Sequence, residues 1–285
     1  MKKYLALILA LIMVLSLTAC SGTGKTEAST EPSASSEASV TPSAVPVTLN
    51  VFAAASLTET LDQIIELYKT VAPNVTITPT YDSSGTLQTQ IEEGADCDVF
   101  FSAAQKQMNA LDVTQDEEKN PKKQDFIDPD TRVNLLENKV VLVVPEGNPA
   151  NITKFADLAT AKSIALGNSD VPVGSYSLKI LDYLKLDVKT LEAAGKITYG
   201  TNVKEVVTQV SEGAVDCGIV YATDAYSAKL TVVDTATKDM CGQVIYPAAV
   251  LKSSKNAEAA KAFLDFLKSD DAIKVFETVG FTKVA

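Results

Sequence analysis

The fold of this chain is decided at residues 51–60, which read VFAAASLTET. An apolar run over 47–52 leads into three alanines and Ser56. Apolar side chains then recur at the spacing of one helix face, at Leu57, Leu61, Ile64, Ile65 and Tyr68. The pattern predicts a buried strand that turns directly into a helix. Because Glu59 follows Ser56 by three residues, as in a capping box, Ser56 is predicted to cap this helix.

A junction of this kind attracts anions, since the first N–H groups of a helix have no partner within the helix. The three alanines leave a ligand room to approach the backbone. Four later positions offer further neutral donors: Ser84 at a second helix start, the backbone amides of Val173 and Val203 at two more, and the hydroxyl of Tyr221 at a strand end. Together these positions predict a pocket for one small oxyanion.

Each of these positions also has an ordinary structural explanation. Ser56 fits a helix cap, Ser84 fits a Ser/Gly turn, and the two valines and Tyr221 fit core packing. The two kinds of role are compatible, since a hydroxyl can accept one hydrogen bond while it donates another. A pocket of donors alone favours a fully ionised oxyanion, because an anion that keeps a proton needs a buried acceptor.

The chain begins with a targeting segment. Residues 1–19 have a basic start and an apolar run too short to span a bilayer comfortably, and they end next to Cys20 in the sequence LTAC. This resembles a lipoprotein signal peptide that is cleaved before a lipidated Cys20; the alternative is an ordinary secretory signal with a chance cysteine. Residues 20–46 are rich in Ser, Thr, Ala, Glu and Pro, which predicts a disordered tether.

The rest of the chain is long enough for two lobes. Strands alternate with helices in both halves, which predicts an α/β fold with mostly parallel sheets and a ligand cleft beyond the carboxyl ends of the strands. We expect residues 47–136 and 252–285 to form lobe 1 and residues 137–251 to form lobe 2. The hinge connections are expected near 133–139 and 246–253.

Several further elements are expected between these boundaries. Residues 155–158 are predicted to be helical, and the charged segment 113–131, which contains prolines, is predicted to be a surface loop. The remaining strands are predicted at 75–78, 98–102, 138–144, 163–167, 216–221 and 244–251.

Composition excludes several classes of function. The net charge is −11 and the basic residues form no stripe, which argues against nucleic acid as a partner. The chain has no histidine, so it lacks Ser-His-Asp and Cys-His catalysis and the commonest metal ligand. Cys97, Cys217 and Cys241 lack the close spacing of a zinc site, and we expect free thiols with one disulfide possible. We therefore expect no enzyme activity, no cofactor and no metal ligated directly by the protein.

Six segments, in order along the chain, resemble the periplasmic molybdate-binding proteins of molybdate ABC importers. The segments are VFAAASLT at 51–58, SSGTL at 83–87, DVFFSA at 98–103, VPVG at 171–174, GIVY at 218–221 and YPA at 246–248. The similarity extends from about residue 47 to the end of the chain. It implies a two-lobed, type II periplasmic-binding fold with the ligand cleft between the lobes.

The resemblance also implies a ligand set. In that family two serines, two backbone amides and a tyrosine hold the oxyanion, and by motif these are Ser56, Ser84, Val173, Val203 and Tyr221. Molybdenum is then bound as molybdate, through its oxygens. Gly85 stands where many relatives carry a third serine, which predicts a more flexible loop, and Val173 replaces a smaller residue.

The implied protein is an extracytoplasmic monomer, lipid-anchored to the cell membrane, that captures molybdate or tungstate. Its implied partners are an ABC permease and the ATPase subunit of that permease. Three alternatives remain open from the sequence: a binder of sulfate or phosphate on the same fold, a surface enzyme of phosphoryl transfer or hydrolysis, and an adhesive or structural lipoprotein.

Overall fold

The computed structural model describes residues 45–284. The signal segment, Cys20 and the tether as far as residue 44 lie outside the described residues. Within 45–284 no helix has both the length and the apolar composition needed to cross a bilayer. The strands are β1 (Val47–Ala54), β2 (Val75–Asp82), β3 (Val99–Phe101), β4 (Val133–Asn138), β5 (Val140–Val144), β6 (Ile164–Gly167), β7 (Ile197–Gly200), β8 (Cys217–Tyr221), β9 (Thr231–Thr235), β10 (Val244–Val250) and β11 (Thr282–Lys283).

Helices connect most of these strands. They are α1 (Thr58–Val71), α2 (Ser84–Glu92), α3 (Gln105–Ala110), α4 (Pro172–Tyr183), α5 (Val188–Ala193), α6 (Val203–Ser211), α7 (Ala222–Ser227), α8 (Lys238–Cys241), α9 (Ala257–Leu267) and α10 (Asp270–Thr278). Short 3-10 helices occupy Ala55–Leu57, Pro129–Thr131 and Phe155–Ala159. The last of these stands where an ordinary helical turn was expected.

Two sheets divide the described chain. The first has strand order β11-β4-β10-β3-β1-β2 and the second has order β7-β6-β8-β5-β9. We call the first sheet with its helices the first lobe, and the second sheet with its helices the second lobe. The two-lobed α/β architecture is the one expected from the sequence.

The sheets are mixed, and the expectation of mostly parallel sheets is wrong. Strand β1 pairs in parallel with β2 and β3, and β6 pairs in parallel with β7 and β8. Strands β10 and β5, however, pair antiparallel with all their neighbours. Both follow a passage of the chain from one lobe to the other, so they enter their sheets in the opposite direction to the βαβ units.

The passages between the lobes differ from the expected boundaries. The predicted strand over 138–144 is two strands, because the chain leaves the first sheet after Asn138 and enters the second at Val140. The strand at Val244–Val250, expected in lobe 2, lies in the first sheet between β3 and β4. The chain therefore returns to the first lobe between Thr235 and Val244, earlier than the expected hinge at 246–253.

Apolar patterning explains how each sheet is buried. All five residues of β5 are buried, as expected for a strand covered on both faces. Helix α1 buries Leu61, Ile64, Ile65 and Tyr68, the face predicted from their spacing. These elements hold the strand ends that carry the candidate site.

Candidate functional site

The donors predicted from the sequence all follow the carboxyl ends of strands. Ser56 and Ser84 follow β1 and β2, which are neighbours in the first sheet, and Tyr221 ends β8 in the second. The amides of Val173 and Val203 follow β6 and β7, which lie in the same sheet as β8 in the order β7-β6-β8. Ligands of α/β sheets bind at this edge, so the topology collects donors from both lobes at one place.

A small cavity lies where these strand ends meet. Its volume is about 10 Å3, roughly the space that one water molecule needs. Only a small group could therefore enter, and the walls of the cavity would have to move apart slightly to admit it. Its lining comes from both lobes and consists of Ala54, Ala55, Ser56, Asp82, Ser83, Ser84, Ala103, Val171, Pro172, Val203 and Tyr221.

A wider groove of about 490 Å3 lies beside α2, α3 and residues 118–124, away from these donors. It is a charged surface groove, and its lining includes the ion pair between Lys122 and Glu92, with 2.8 Å between Nζ and Oε2. We therefore place the candidate site at the small cavity.

Ser56 does not cap α1, so the predicted capping box is wrong. An added 3-10 turn, Ala55–Leu57, places Ser56 before the α-helix, whose first residue is Thr58. Ser56 is buried, and its Oγ lies 2.9 Å from Oη of Tyr246. The carboxylate of Glu59 extends to the second lobe instead of turning back to Ser56. Ser56 is thus free of the helix cap and lines the cavity.

Ser84 is the first residue of α2, and a different residue, Ser83, caps this helix. Ser83 caps α2, since its Oγ accepts from the N–H of Thr86 at 3.1 Å. Ser84 is fully buried, and its Oγ accepts from the N–H of Ala103 at 2.9 Å. Because its oxygen already accepts one hydrogen bond, the Ser84 hydroxyl can direct its proton into the cavity.

The second lobe contributes two helix starts. Asn202 caps α6 as expected, since its Oδ1 accepts from the N–H of Glu205 at 3.2 Å. Val203 follows it and lines the cavity. Val173 is the second residue of α4 and is fully buried, while the preceding Val171 and Pro172 line the cavity. The N–H groups of Val173 and Val203 are among the first of their helices, where no intrahelical carbonyl is available to them.

Tyr221 carries a buried hydroxyl with no partner in hydrogen-bond geometry among residues 45–284, although the Tyr246 hydroxyl is close enough to contribute to its raised pKa. Its ring lies between two other tyrosines, with ring centroids 6.4 Å from Tyr176 and 5.6 Å from Tyr246. Burial raises the pKa of Tyr221 well above its ordinary value, so the hydroxyl keeps its proton. An unpartnered buried hydroxyl is costly unless a ligand satisfies it.

The two lobes touch beside the cavity through an ion cluster. Nζ of Lys204 lies 2.7 Å from Oε1 of Glu59 in the first lobe and 3.1 Å from Oδ1 of Asp224 in the second. Desolvation of Lys204 is outweighed by these two carboxylates, which raise the pKa of its ammonium. Burial raises the pKa of Asp224 to about 6, although Lys204 opposes this.

A backbone contact also joins the lobes. The N–H of Gly85 donates to the carbonyl of Asp170 at 3.1 Å, and a Cβ added at Gly85 would lie 2.2 Å from that oxygen. Gly85 is the second residue of α2, so the loop that its glycine was expected to loosen is the first turn of a helix. The missing side chain instead permits a close approach of the two lobes.

Sequence reasoning missed the groups around the donors. It gave no role to Lys204, Asp224 or Asn138, and it included Tyr246 only in a motif. The hydrogen bonds of Tyr246 to Ser56, Asn138 to Thr223 and Lys204 to Glu59 join residues 85 to 190 positions apart along the chain. No local pattern reveals contacts of this kind. The cysteine prediction is confirmed, since Cys97, Cys217 and Cys241 are buried free thiols.

We predict that Asp224→Asn changes how stability depends on pH. Between about pH 4 and pH 6, folded Asp224 keeps a proton that the unfolded chain has released. The folded state thus binds more protons, and the wild type loses stability as pH rises through this interval. Urea unfolding should show the wild type losing up to about 3 kcal/mol relative to the variant across this interval. A difference that is constant or grows with pH would contradict the prediction.

Comparisons with known proteins agree with this architecture. The family model of bacterial extracellular solute-binding proteins matches residues 49–282. A Bacillus subtilis (strain 168) protein provisionally named an ABC transporter substrate-binding lipoprotein, YvgL, is 38% identical, with 99% of this chain and 98% of that protein covered. The molybdate-binding protein ModA of Escherichia coli K12 is 34% identical, covering 82% of this chain and 88% of ModA.

Solved structures give the same result. A substrate-binding domain from Clostridium difficile, provisionally assigned to a molybdenum ABC transporter, has 40% identity and a TM-score of 0.62, covering 84% of this chain and all of that one. The periplasmic molybdate-binding protein of Azotobacter vinelandii has a TM-score of 0.70 at 24% identity, covering 83% of this chain and all of that one, and supports the fold alone.

These relatives are binding proteins, so the alternative of a surface enzyme is set aside, and proteins of this class need no cofactor to hold their ligand. The chain belongs to the bacterial extracellular solute-binding proteins of ABC transporters, in the family that contains the molybdate-binding proteins.

Proposed function

We propose that this protein captures molybdate or tungstate outside the cytoplasm and delivers it to an ABC permease and the ATPase subunit of that permease. The observation that carries the proposal is the buried hydroxyl of Tyr221, which lacks a partner among the described residues and lines a cavity shared with Ser56, Ser84 and Val203. The names of the relatives support molybdate as the solute.

The proposed ligand contacts are three hydroxyls and two amides. Ser56, Ser84 and Tyr221 donate through their side chains, and Val173 and Val203 donate through their backbone N–H groups. Each serine Oγ already has one hydrogen bond within the protein, Ser56 with Oη of Tyr246 and Ser84 with the N–H of Ala103, at 2.9 Å in each case. A tetrahedral oxyanion would satisfy the hydroxyl of Tyr221 and the orphan helix amides together.

The charges around the cavity leave the ligand with neutral donors. The cation nearest in sequence to these donors, Lys204, is held by Glu59 and Asp224. Asp82 also lines the cavity, and its Oδ1 accepts from the N–H of Ser83 at 2.7 Å, which directs that oxygen toward the backbone. The helix starts add partial positive charge at the cavity, which favours an anion there.

Ligand binding is proposed to close the two lobes. The contacts of Gly85 with Asp170 and of Glu59 with Lys204 join the lobes, and both require the lobes to be together. A ligand that touches both lobes only in the closed form shifts the population toward that form. The hinge is proposed at the two passages of the chain, near residues 133–139 and 236–243.

The protein is also proposed to be a lipid-anchored monomer. The YvgL alignment covers 99% of the chain, and that relative is named a lipoprotein. In this proposal residues 1–19 are removed, Cys20 carries the lipid and the tether over 20–46 gives the folded part reach from the membrane. The adhesive lipoprotein alternative predicts no oxyanion binding.

Ligand identity is tested by titrating the full chain with molybdate, tungstate, sulfate and phosphate in calorimetry and thermal shift. We expect molybdate and tungstate to bind at micromolar concentrations or below and to raise the melting temperature. Tyr221→Phe should weaken molybdate binding by about 1.5–3 kcal/mol, since it removes a donor to a charged group. Tyr226→Phe, at an exposed tyrosine of the following helix, is the control and should bind as the wild type does.

Binding of sulfate or phosphate in place of molybdate and tungstate would show that the ligand assignment is wrong. Unchanged molybdate affinity in Tyr221→Phe would show that this hydroxyl is not part of the site.

We predict that Gly85→Ala weakens molybdate binding without destabilising the free protein. The added Cβ would meet the carbonyl of Asp170 only when the lobes are together, so it should cost about 1–3 kcal/mol of binding. In the open form alanine favours the helix by about 0.5–1 kcal/mol relative to glycine. The control is Thr89→Ala, an exposed position of the same helix. Equal affinities of Gly85→Ala and wild type in calorimetry would contradict the prediction.

Lipid attachment is tested by growing cells with labelled fatty acid. The wild-type chain should incorporate the label and fractionate with the membrane, whereas Cys20→Ala should lack the label and leave the membrane fraction. A Cys20→Ala chain that still carries the label, or a wild type without it, would rule out this anchor.

A further inference from the structure

Asn138 stands at the first passage between the lobes and has a fixed orientation. It is the last residue of β4 and is buried. Its Oδ1 accepts from the N–H of Lys139 at 2.8 Å. A backbone N–H can only donate, so the oxygen of the side-chain amide must be on this side and the nitrogen on the other.

Both protons of the Asn138 amide nitrogen are used. Nδ2 lies 2.9 Å from Oγ1 of Thr223 in the second lobe and 3.1 Å from Oη of Tyr246 in the first. An NH2 group has no acceptor capacity. The hydroxyl oxygen of Tyr246 therefore accepts from Asn138.

The proton of Tyr246 then has one destination. Tyr246 is fully buried, and burial raises its pKa well above the ordinary value, so it keeps its proton. Within residues 45–284 two groups lie within hydrogen-bond distance of its hydroxyl: Nδ2 of Asn138, which donates to it, and Oγ of Ser56 at 2.9 Å. The hydroxyl of Tyr221 is close enough for Tyr246 to contribute to its raised pKa, but it makes no hydrogen bond in this geometry. Leaving a buried hydroxyl proton unpaired is unfavourable, so Tyr246 donates to Ser56.

Ser56 consequently does not donate its own proton to Tyr246. Its Oγ accepts from Tyr246, and the hydroxyl lines the cavity with its proton still available. The reverse direction, with Ser56 donating to Tyr246, would face the cavity with lone pairs only and would repel an oxyanion.

We propose that Asn138 and Tyr246 are positioning residues for the oxyanion site: they set the direction of a hydrogen-bond chain that runs from Asn138 through Tyr246 to Ser56 and so presents Ser56 to the ligand as a donor. The inference rests on the proposed oxyanion site. It adds a specificity determinant, because a one-way donor chain favours ions without a proton over ions such as hydrogen phosphate.

A backbone group has the same role behind the second serine. The N–H of Ala103 donates to Oγ of Ser84, which leaves the proton of that hydroxyl for the cavity. No substitution can turn the donating N–H of Ala103 into an acceptor. A substitution at Asn138 can replace its donating NH2 group by an acceptor, so the direction of the Asn138–Tyr246–Ser56 hydrogen-bond chain can be tested.

Asn138→Asp reverses the chain with little change of shape. A carboxylate only accepts, so Tyr246 would donate to it and accept from Ser56, and Ser56 would turn its proton away from the ligand. In calorimetry of the full chain with sodium molybdate, we expect the Kd to rise at least about tenfold. The new buried charge also repels the anion, so this variant needs a second background.

Ser56→Ala supplies that background. Charge repulsion acts in both backgrounds, whereas the reversal matters only where a hydroxyl is present. Asn138→Asp should therefore raise the Kd at least about threefold less in Ser56→Ala than in the wild type. Equal fold-changes in the two backgrounds would overturn the inference.

Tyr246→Phe is the second variant and decides the matter if Asn138→Asp does not fold. It removes the hydroxyl that orients Ser56 and should raise the molybdate Kd about fivefold, with no such rise when Ser56 is already alanine. An unchanged Kd, or the same rise in both backgrounds, would overturn the inference while wild-type binding leaves the proposed function intact. A wild type that does not bind molybdate would overturn both.

Discussion

An anion buried without a counter-ion is stable only when its oxygens meet donors that have no better partner. In the proposed function, that requirement explains the arrangement of the donors in this molecule. The hydroxyl of Tyr221 lacks a partner among residues 45–284, and the first amides of α4 and α6 have none within their helices. The strand order places these groups and two serines at one sheet edge in each lobe, and Ser56, Ser84, Val203 and Tyr221 line one cavity there.

The same requirement explains where charge is placed. Lys204, adjacent to Val203, forms ion pairs with Glu59 and Asp224. Its charge is used to join the lobes, and in the proposed function hydroxyls and backbone amides contact the ligand. Because Glu59 belongs to the first lobe and Asp224 to the second, formation of the cavity and contact between the lobes are parts of one conformational state.

The sequence predicts what depends on local patterning. The apolar periodicity after β1 predicts α1, and the small residues and strand ends indicate four positions that line the cavity, Ser56, Ser84, Val203 and Tyr221. It fails where a long-range contact overrides the local pattern. Glu59 has the spacing of a capping box but pairs with Lys204, 145 residues later, and an apolar run at 138–144 looks like one strand although the chain changes sheets at Lys139. The direction of the hydrogen-bond chain from Asn138 through Tyr246 to Ser56 also depends on a long-range contact, since Asn138 and Tyr246 are 108 residues apart.

The most direct test of the account is the number of protons exchanged when molybdate binds. Calorimetry at about pH 8 in two buffers of different ionisation enthalpy gives this number. At that pH Asp224 has already lost its proton and Tyr221 keeps its own. A donor pocket that takes a fully ionised anion predicts the same binding enthalpy in both buffers, with no net proton taken up or released. Uptake or release of about one proton per bound molybdate would contradict the account.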